Sequence, residues 1–112
     1  MDKLEKYDAI VIGAGAAGMF CAAQLGQNGI TTLLLEQNSK VGRKIFISGG
    51  GRCNFTNLSP FPERFKSSNK HFVKSALSQY TAKDFIRLIE SYNIGYHEKN
   101  WVSYFVMIDH RA

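Results

Sequence analysis

Cysteine, proline and runs of like charge are all scarce in this sequence. Its 112 residues contain two cysteines, Cys21 and Cys53, and neither belongs to a CxxC pair or a Cys/His cluster. This pattern disfavours a disulfide scaffold, predicts no metal site and indicates a reducing, cytoplasmic location. With two prolines and ten glycines, the composition also excludes collagen-like and low-complexity chains.

Concentrated charge is also missing. The net charge is +5, from 14 basic and 9 acidic residues, but no run of four basic residues occurs. A scattered charge of this size is typical of an ordinary protein surface, so the sequence predicts no nucleic-acid partner.

A long apolar span is absent as well, although no charged residue occurs between Asp8 and Glu36. The strictly apolar and glycine part, residues 9–23, is 15 residues long. A membrane-spanning helix needs about 20 apolar residues. The stretch therefore predicts no membrane partner, and a buried strand, helix and strand explain it better.

The first third of the chain has the pattern of a βαβ unit. Residues 7–12 predict a short buried strand, because residues 9–12 are contiguous apolar residues, as is typical of a parallel sheet. Residues 16–27 lack β-branched side chains and favour a helix, which Gly29 is placed to end. Residues 31–35, β-branched and then leucine-rich, predict the second strand.

The remaining residues predict a long loop, with room for a short helix inside it, followed by two helices. Residues 37–65 keep no clear period, and loops of such length in compact domains tend to be functional. Residues 72–80 have helical spacing, and Thr81 with Asp84 resembles a capping box that opens a second amphipathic helix. We expect both helices to pack on the sheet and on each other. Residues 97–112 show no pattern.

The motif that carries chemistry lies between the first strand and the first helix. It is GxGxxG, with Gly13 suited to the tight turn, Gly15 to close approach of a pyrophosphate, and Gly18 to helix–strand packing. Main-chain N–H groups at the helix N-terminus would hold the diphosphate. Glu36, 18 residues beyond Gly18, stands where an acidic residue binds the ribose hydroxyls, and it would repel a 2′-phosphate.

FAD and NAD share this first turn, and two features favour FAD. The motif begins at Gly13, close to the N-terminus, as FAD domains often have it. Residues 41–57 are also dense in glycines, cations and amides. Three successive glycines let the backbone approach an anion or a flat ring, and the nearby cations can balance phosphate or a reduced flavin.

At this point the sequence resembles a known family. The segments DAIVIGAGAAGM (8–19) and GRKIFISGGGRCNFTN (42–57) are similar to bacterial NAD(P)/FAD-dependent oxidoreductases of the aminoacetone-oxidase type, which include flavoproteins implicated in bile-acid keto reduction. The likeness runs over residues 7–99. It implies an α/β fold, in which this chain is the N-terminal βαβ part of a doubly wound, Rossmann-like FAD-binding domain and is incomplete. It also implies NAD(P)H or oxygen as redox partner in a protein of full length.

The motifs and the resemblance together predict a set of cofactor-binding residues but no catalytic one. The predicted FAD-binding residues are Gly13, Ala14, Gly15, Ala17, Gly18, Glu36, Gln37, Arg43, Lys44, Gly50, Gly51, Arg52, Cys53, Asn54 and Asn57.

The end of the chain departs from the family. After Lys99 the likeness stops, and we predict a division into residues 1–99, the N-terminal part of an FAD-binding domain, and an atypical tail, 100–112. Back-translation of residues 100–108 in the preceding frame allows Leu-Gly-Gln-Leu-Phe-Cys-Asp-Asp, which resembles the family's continuation. We hypothesise a frameshift near Asn100.

The sequence thus predicts the FAD-binding portion of a flavin-dependent oxidoreductase. Two alternatives stay open. One is a truncated, inactive remnant of such a flavoprotein, because half a cofactor site loses much of its binding energy. The other is a free-standing NAD-binding module, which would need more strands than the patterns supply.

Overall fold

Two parallel strands joined through a helix open the chain. The structure, a computed structural model, describes residues 4–57, 60–100 and 103–106. The chain divides into two units, Met1–Ser48 and Gly49–Ala112.

The first unit contains the predicted βαβ arrangement. Strand β1 (Ala9–Ile12) pairs in parallel with β2 (Thr32–Leu35), in a register that sets Ala9 beside Thr32 and Ile12 beside Leu35. Helix α1 (Ala16–Gln27) makes the crossover, because parallel neighbours cannot be joined by a tight hairpin. The α/β class and the N-terminal βαβ part of a Rossmann-like domain are therefore confirmed.

The two ends of α1 form where the sequence analysis predicts them. Gly15 is the N-cap residue, and Asn28, just after Gln27, is the C-cap. Gly29 follows with φ +74°, in the left-handed region where glycine is favoured. The prediction that Gly29 ends this helix is confirmed.

Most apolar side chains of this unit remain accessible. Ile12 is 85% exposed and Phe46 71%, whereas Ala14 is buried. Cys21, on α1, is exposed as well. The reason is that two short strands cover only one side of an apolar helix.

The predicted long loop, residues 37–65, contains regular structure instead. Helix α2 (Arg43–Gly51) and strand β3 (Asn54–Asn57) lie within it, and a single 3₁₀ turn (Pro62–Arg64) follows. A helix that ends in three glycines is hard to recognise from propensity, because glycine is among the poorest helix formers. The short helix that the sequence analysis allows within this loop is found, but its bounds and strand β3 were not predicted.

The second unit is an antiparallel sheet with two helices, α3 (Lys74–Gln79) and α4 (Ala82–Ser91). Strands β4 (Tyr96–Asn100) and β5 (Ser103–Val106) pair with each other, and β5 also pairs with β3, in the order β3-β5-β4. The patterns beyond residue 97 predicted no strand, so this sheet was missed. Residues 107–112 of the predicted tail lie outside the described residues.

Helix α4 begins at the predicted capping box. The Thr81 N–H donates to Asp84 Oδ2 at 2.8 Å, and the Asp84 N–H donates to Thr81 Oγ1 at 3.2 Å. Hydrogen bonds from the Thr81 backbone and then its hydroxyl lower the pKa of the Asp84 carboxyl. This prediction is confirmed.

Helix α4 packs on β3, the first strand of the antiparallel sheet. The Phe55 ring on β3 lies 5.8 Å from Phe85 on α4 and 5.7 Å from Tyr96 on β4, measured between ring centroids. The predicted packing of a helix on a sheet is found, but the partner is the sheet that the sequence analysis missed.

Within the described residues no helix is long and apolar enough to cross a bilayer. The same residues contain no group of three or more His, Cys, Asp or Glu side chains placed to hold a metal ion.

Candidate functional site

At two positions of the GxGxxG turn, the backbone conformation and packing of the chain itself require glycine. Gly13 has φ +97°, and its N–H donates to the Leu35 carbonyl oxygen at 2.8 Å. A Cβ atom added at Gly18 would lie 1.7 Å from the Gly13 carbonyl oxygen. Helix α1 can therefore approach the end of β1 only if residue 18 has no side chain.

Gly15 is different, because the chain itself does not require glycine there. Its φ is −86°, which any residue adopts, and an added Cβ would meet nothing within 4 Å. Gly15 is also the N-cap of α1, where no side chain caps the first turn. The first N–H groups of a helix lack partners within it and carry the positive end of the helix dipole. Open space thus lies in front of a helix end suited to an anion.

Glu36 ties the end of β2 to this turn. Its Oε1 accepts from the Ala14 N–H at 3.0 Å, and its Oε2 accepts from the Asn38 N–H at 2.9 Å and from Asn38 Nδ2 at 2.8 Å. The backbone hydrogen bonds from Asn38 and then Ala14 lower the pKa of the Glu36 carboxyl. The carboxylate is therefore held ionised beside the helix N-terminus.

A pocket of about 580 Å³ opens at this point in the first unit. The Gly42 N–H donates to the Ala14 carbonyl oxygen at 2.7 Å, which brings the start of α2 to the turn. The pocket is lined by Ala14, Gly15, Ala16, Glu36, Asn38, Arg43, Lys44, Ile45 and Ile47. A carboxylate, two cations and an apolar wall therefore surround the N-terminus of α1.

Five of the predicted residues meet in that pocket, namely Ala14, Gly15, Glu36, Arg43 and Lys44. Gly13 and Gln37 line a neighbouring pocket of about 460 Å³, to which Glu36 also contributes. Ala17 lies exposed in the first turn of α1, outside both linings, and Gly18 has the packing role described above.

Sequence reasoning missed four lining residues, Ala16, Asn38, Ile45 and Ile47. Asn38 follows Glu36 by two positions, and a short amide at that spacing can hydrogen-bond a neighbouring group, as it does here. Its Oδ1 also accepts from Arg43 Nη1 at 3.5 Å. The two isoleucines were missed because their segment was interpreted as a loop.

The other predicted residues lie in the second unit. Gly50 and Gly51 end α2 with φ +67° and +84°, and Cys53, a non-glycine residue, has φ 54°. Asn54 and Asn57 are the first and last residues of β3, and Arg52 precedes it. The two glycines thus adopt the left-handed backbone that glycine favours. The role of these residues at a cofactor stays a prediction.

Residues 7–110 match the family described as the HI0933-like protein Rossmann domain, so the match extends beyond Lys99, where the sequence analysis ended the likeness. The chain belongs to this family. Its membership in a family of FAD-binding oxidoreductases agrees with the resemblance found in the motifs, and the Rossmann assignment agrees with the βαβ unit of the structure.

Three curated relatives illustrate the family. The chain is 56% identical over 96 residues to the ribosomal RNA dihydrouridine synthase of Escherichia coli, covering 86% of this chain and 24% of the relative. It is 57% identical over 90 residues to the Haemophilus influenzae protein of that name, covering 80% and 22%. It is 32% identical over 72 residues to the 3-dehydro-bile acid delta(4,6)-reductase of Clostridium scindens, covering 62% and 18%. The chain thus spans about a quarter or less of these proteins.

Proposed function

We propose that this chain supplies the nucleotide-binding part of an FAD site in a flavin-dependent oxidoreductase. The observation that carries the proposal is Gly15, whose missing side chain leaves a cradle at an uncapped helix N-terminus that the chain's own packing does not require. A diphosphate is the group for which such a cradle is suited, because main-chain N–H groups can approach it directly.

The surrounding residues fit the rest of an adenine nucleotide. Glu36 retains a lone pair on Oε1 for a ribose hydroxyl, and its negative charge disfavours a 2′-phosphate. Arg43 and Lys44 line the same pocket and supply positive charge for the diphosphate. Ile45 and Ile47 offer an apolar wall, as small-molecule sites commonly do.

The chemistry would belong to the flavin, which when bound transfers a hydride or electrons between NAD(P)H or oxygen and a substrate. This chain's own residues bind and orient the nucleotide end. No side chain in the pocket is assigned as a proton donor.

For the substrate, we propose the uracil base of ribosomal RNA, reduced by a protein that carries this chain and has the full length of its relatives. The support is the printed name of the two relatives that share 56% and 57% of aligned residues. Dihydrouridine differs from uridine by two hydrogens across one C=C bond, so a hydride and a proton must be delivered. A bound, reduced flavin would supply the hydride, and a proton from solvent would complete the addition across the C=C bond. This substrate replaces the expectation, drawn from scattered charge, that nucleic acid is not a partner.

The test of the cofactor is a titration of the chain with FAD, NAD and NADP, followed by flavin fluorescence and by flavin absorption at about 450 nm. We expect FAD to bind and NADP to fail. Binding of NAD with no binding of FAD would favour an NAD-binding module. A colourless chain that binds none of the three would favour an inactive remnant.

The test of the substrate uses a protein of the relatives' length with this chain at its N-terminus. Ribosomal RNA from cells lacking that protein is incubated with the protein, FAD and NADH or NADPH, and dihydrouridine is measured by mass spectrometry. An increase of two mass units at a uridine is expected. Unchanged RNA together with bound FAD would remove the substrate and leave the cofactor proposal standing.

A further inference from the structure

The acidic residues are unevenly distributed along this chain, and the net positive charge is therefore concentrated in one stretch although no run of four basic residues occurs. Between Lys40 and Lys83 lie nine of the 14 basic residues but one of the nine acidic residues, Glu63. This stretch is therefore strongly basic, because few acidic residues lie among its cations. The overall composition does not show this local excess of positive charge.

In the second unit, two of these cations, Lys70 and Lys74, line a pocket of about 400 Å³. Its lining consists of Pro62, Glu63, Phe65, Lys70, His71 and Lys74. Lys70 and Lys74 are exposed, and across the described part of the chain the one ion pair joins Arg87 to Asp84. Both ammonium groups are therefore available to an anion from solution.

Aromatic rings interleave with these cations. Phe61 is 56% exposed and Phe72 53%, both high for phenylalanine. The rings of Phe65 and Phe72 meet edge to face with centroids 6.5 Å apart, and the Arg64 guanidinium lies 5.6 Å from the Phe61 ring centroid. Exposed rings beside cations are suited to stacking unpaired bases while the cations contact phosphates.

Local contacts hold this segment in shape. The Asn69 side chain accepts a hydrogen bond from the His71 N–H at 3.0 Å, and the Asn69 carbonyl accepts from the Phe72 N–H at 3.2 Å. Val73, next to Phe72, is buried and anchors the chain. The exposed rings and lysines are therefore presented by an ordered turn.

We propose that residues 61–74, the basic–aromatic segment, bind single-stranded RNA. This inference rests on the proposed RNA substrate and names the surface that would hold it. Lys70 and Lys74 contact backbone phosphates, and Phe72 stacks on a base. RNA is favoured over an acidic protein because an acidic peptide offers carboxylates to the lysines but no flat faces to the rings.

The experiment measures binding of a fluorescent, mixed-sequence RNA of about 12 nucleotides to the chain by anisotropy over a series of salt concentrations. Lys70→Gln/Lys74→Gln should weaken binding and make the slope of log affinity against log salt shallower by about 1.4, or 0.7 for each lost phosphate contact. Phe72→Leu should weaken binding roughly fivefold to a hundredfold and leave the slope unchanged, because stacking releases no counterions.

The matched control is Lys6→Gln/Lys83→Gln, which removes the same charge at exposed positions outside the segment. We expect its affinity to stay within about twofold of the unchanged chain. Equal losses in both double variants would overturn the proposal, because binding would then follow net charge alone. Circular dichroism of each variant confirms that the fold is intact.

Other partners are separated by competition with polyglutamate and with vesicles containing phosphatidylserine. If either displaces RNA and binds as tightly, with no effect of Phe72→Leu, the surface serves an acidic protein or a membrane and the proposal is wrong. If the segment binds RNA as expected but the longer protein forms no dihydrouridine, the substrate proposal is wrong and the proposal that the basic–aromatic segment binds RNA stands. If dihydrouridine forms at the normal rate while the lysine and Phe72 variants bind RNA normally, the proposal that the basic–aromatic segment binds RNA is wrong.

Discussion

Gly15 and Gly18 belong to one motif, but different contacts require a glycine at each position. Gly18 lies against the carbonyl oxygen of Gly13, so the protein backbone itself excludes a side chain there. Gly15 faces open space, so any demand for glycine there comes from outside the chain. Substitution can separate the two.

The first prediction is that Gly18→Ala destabilises the fold more than Gly15→Val, which loses only the preference for glycine over valine at an N-cap. The alanine Cβ must displace backbone, and overpacking of this kind costs about 1–3 kcal/mol. Urea denaturation followed by circular dichroism measures the free energy of unfolding. Equal stabilities for Gly18→Ala and the unchanged chain would contradict the packing at this turn.

Gly15→Val should instead abolish FAD binding, because its methyl groups occupy the cradle at the N-terminus of α1. Flavin fluorescence quenching measures the affinity, and the unfolding experiment above serves as its control. Retained flavin in a folded Gly15→Val chain would refute the placement of the diphosphate.

A second prediction concerns Glu36. Glu36→Ala should weaken FAD binding roughly tenfold to a hundredfold, the range for lost hydrogen bonds to a charged group. The control is Glu63→Ala, which removes a carboxylate from the second unit and should leave FAD affinity unchanged. Equal loss in both variants would mean that Glu36 acts through net charge alone.

The pH dependence of the Glu36 contacts follows from the direction of its pKa shift. The Asn38 and Ala14 N–H groups lower the pKa of this carboxyl in the folded chain. Its contribution to stability is therefore complete above the unfolded-state pKa and is lost as pH falls through the lowered folded-state pKa. Glu36→Gln should remove this acid sensitivity in a pH titration of stability, and an unchanged acid limb would contradict it.

Among the helices, α4 shows how much a local pattern can establish. Its capping box was predicted from Thr81 and Asp84 alone, since both partners lie within one turn and need no distant contact. By contrast, the bounds of α2 were not predicted, because its three final glycines have poor helical propensity and its start depends on the Gly42–Ala14 hydrogen bond.

The third prediction is that Thr81→Ala lowers the free energy of unfolding by about 0.5–2 kcal/mol, the cost of losing an N-cap side chain. Thermal denaturation followed by circular dichroism measures it, with Ser68→Ala as the matched loss of an exposed hydroxyl. Thr81 also lowers the pKa of Asp84, so the stabilisation by Asp84 should be lost as pH falls through that lowered value. A Thr81→Ala chain as stable as Ser68→Ala would exclude the capping role.

At the scale of the whole chain, several large apolar side chains of the first unit are exposed to solvent. Ile12 and Phe46 are among its most exposed large apolar side chains. Such surface favours association in water. An exposed strand edge or apolar face therefore favours association of the chain and lowers its solubility.

The fourth prediction is that the chain self-associates and that Ile12→Thr/Phe46→Ser increases the monomer fraction in light scattering after gel filtration. These side chains contribute little to the core, so the free energy of unfolding should change little. Val73→Thr is the opposing control, because Val73 is buried and its replacement should destabilise the fold. A monomeric unchanged chain would contradict the prediction.

The fifth prediction concerns residues 100–112. If a frameshift near Asn100 produced them, the coding DNA must encode Ser103 as AGT or AGC, and the preceding frame must continue with family-like sequence. Sequencing codons 95–115 decides it. Another serine codon at position 103 would exclude the frameshift.

Sequence alone determined the βαβ unit, the glycine turn, the acidic residue after β2 and the cap of α4. Each of these rests on residues adjacent in the chain or on one spacing, and local backbone preferences act at that range. Tertiary contacts decided the β3-β5-β4 sheet, the start of α2 and the meeting of Glu36 with Ala14, 22 positions apart. These depend on which distant segments lie together, and hydrogen bonds between distant segments leave no period in the sequence.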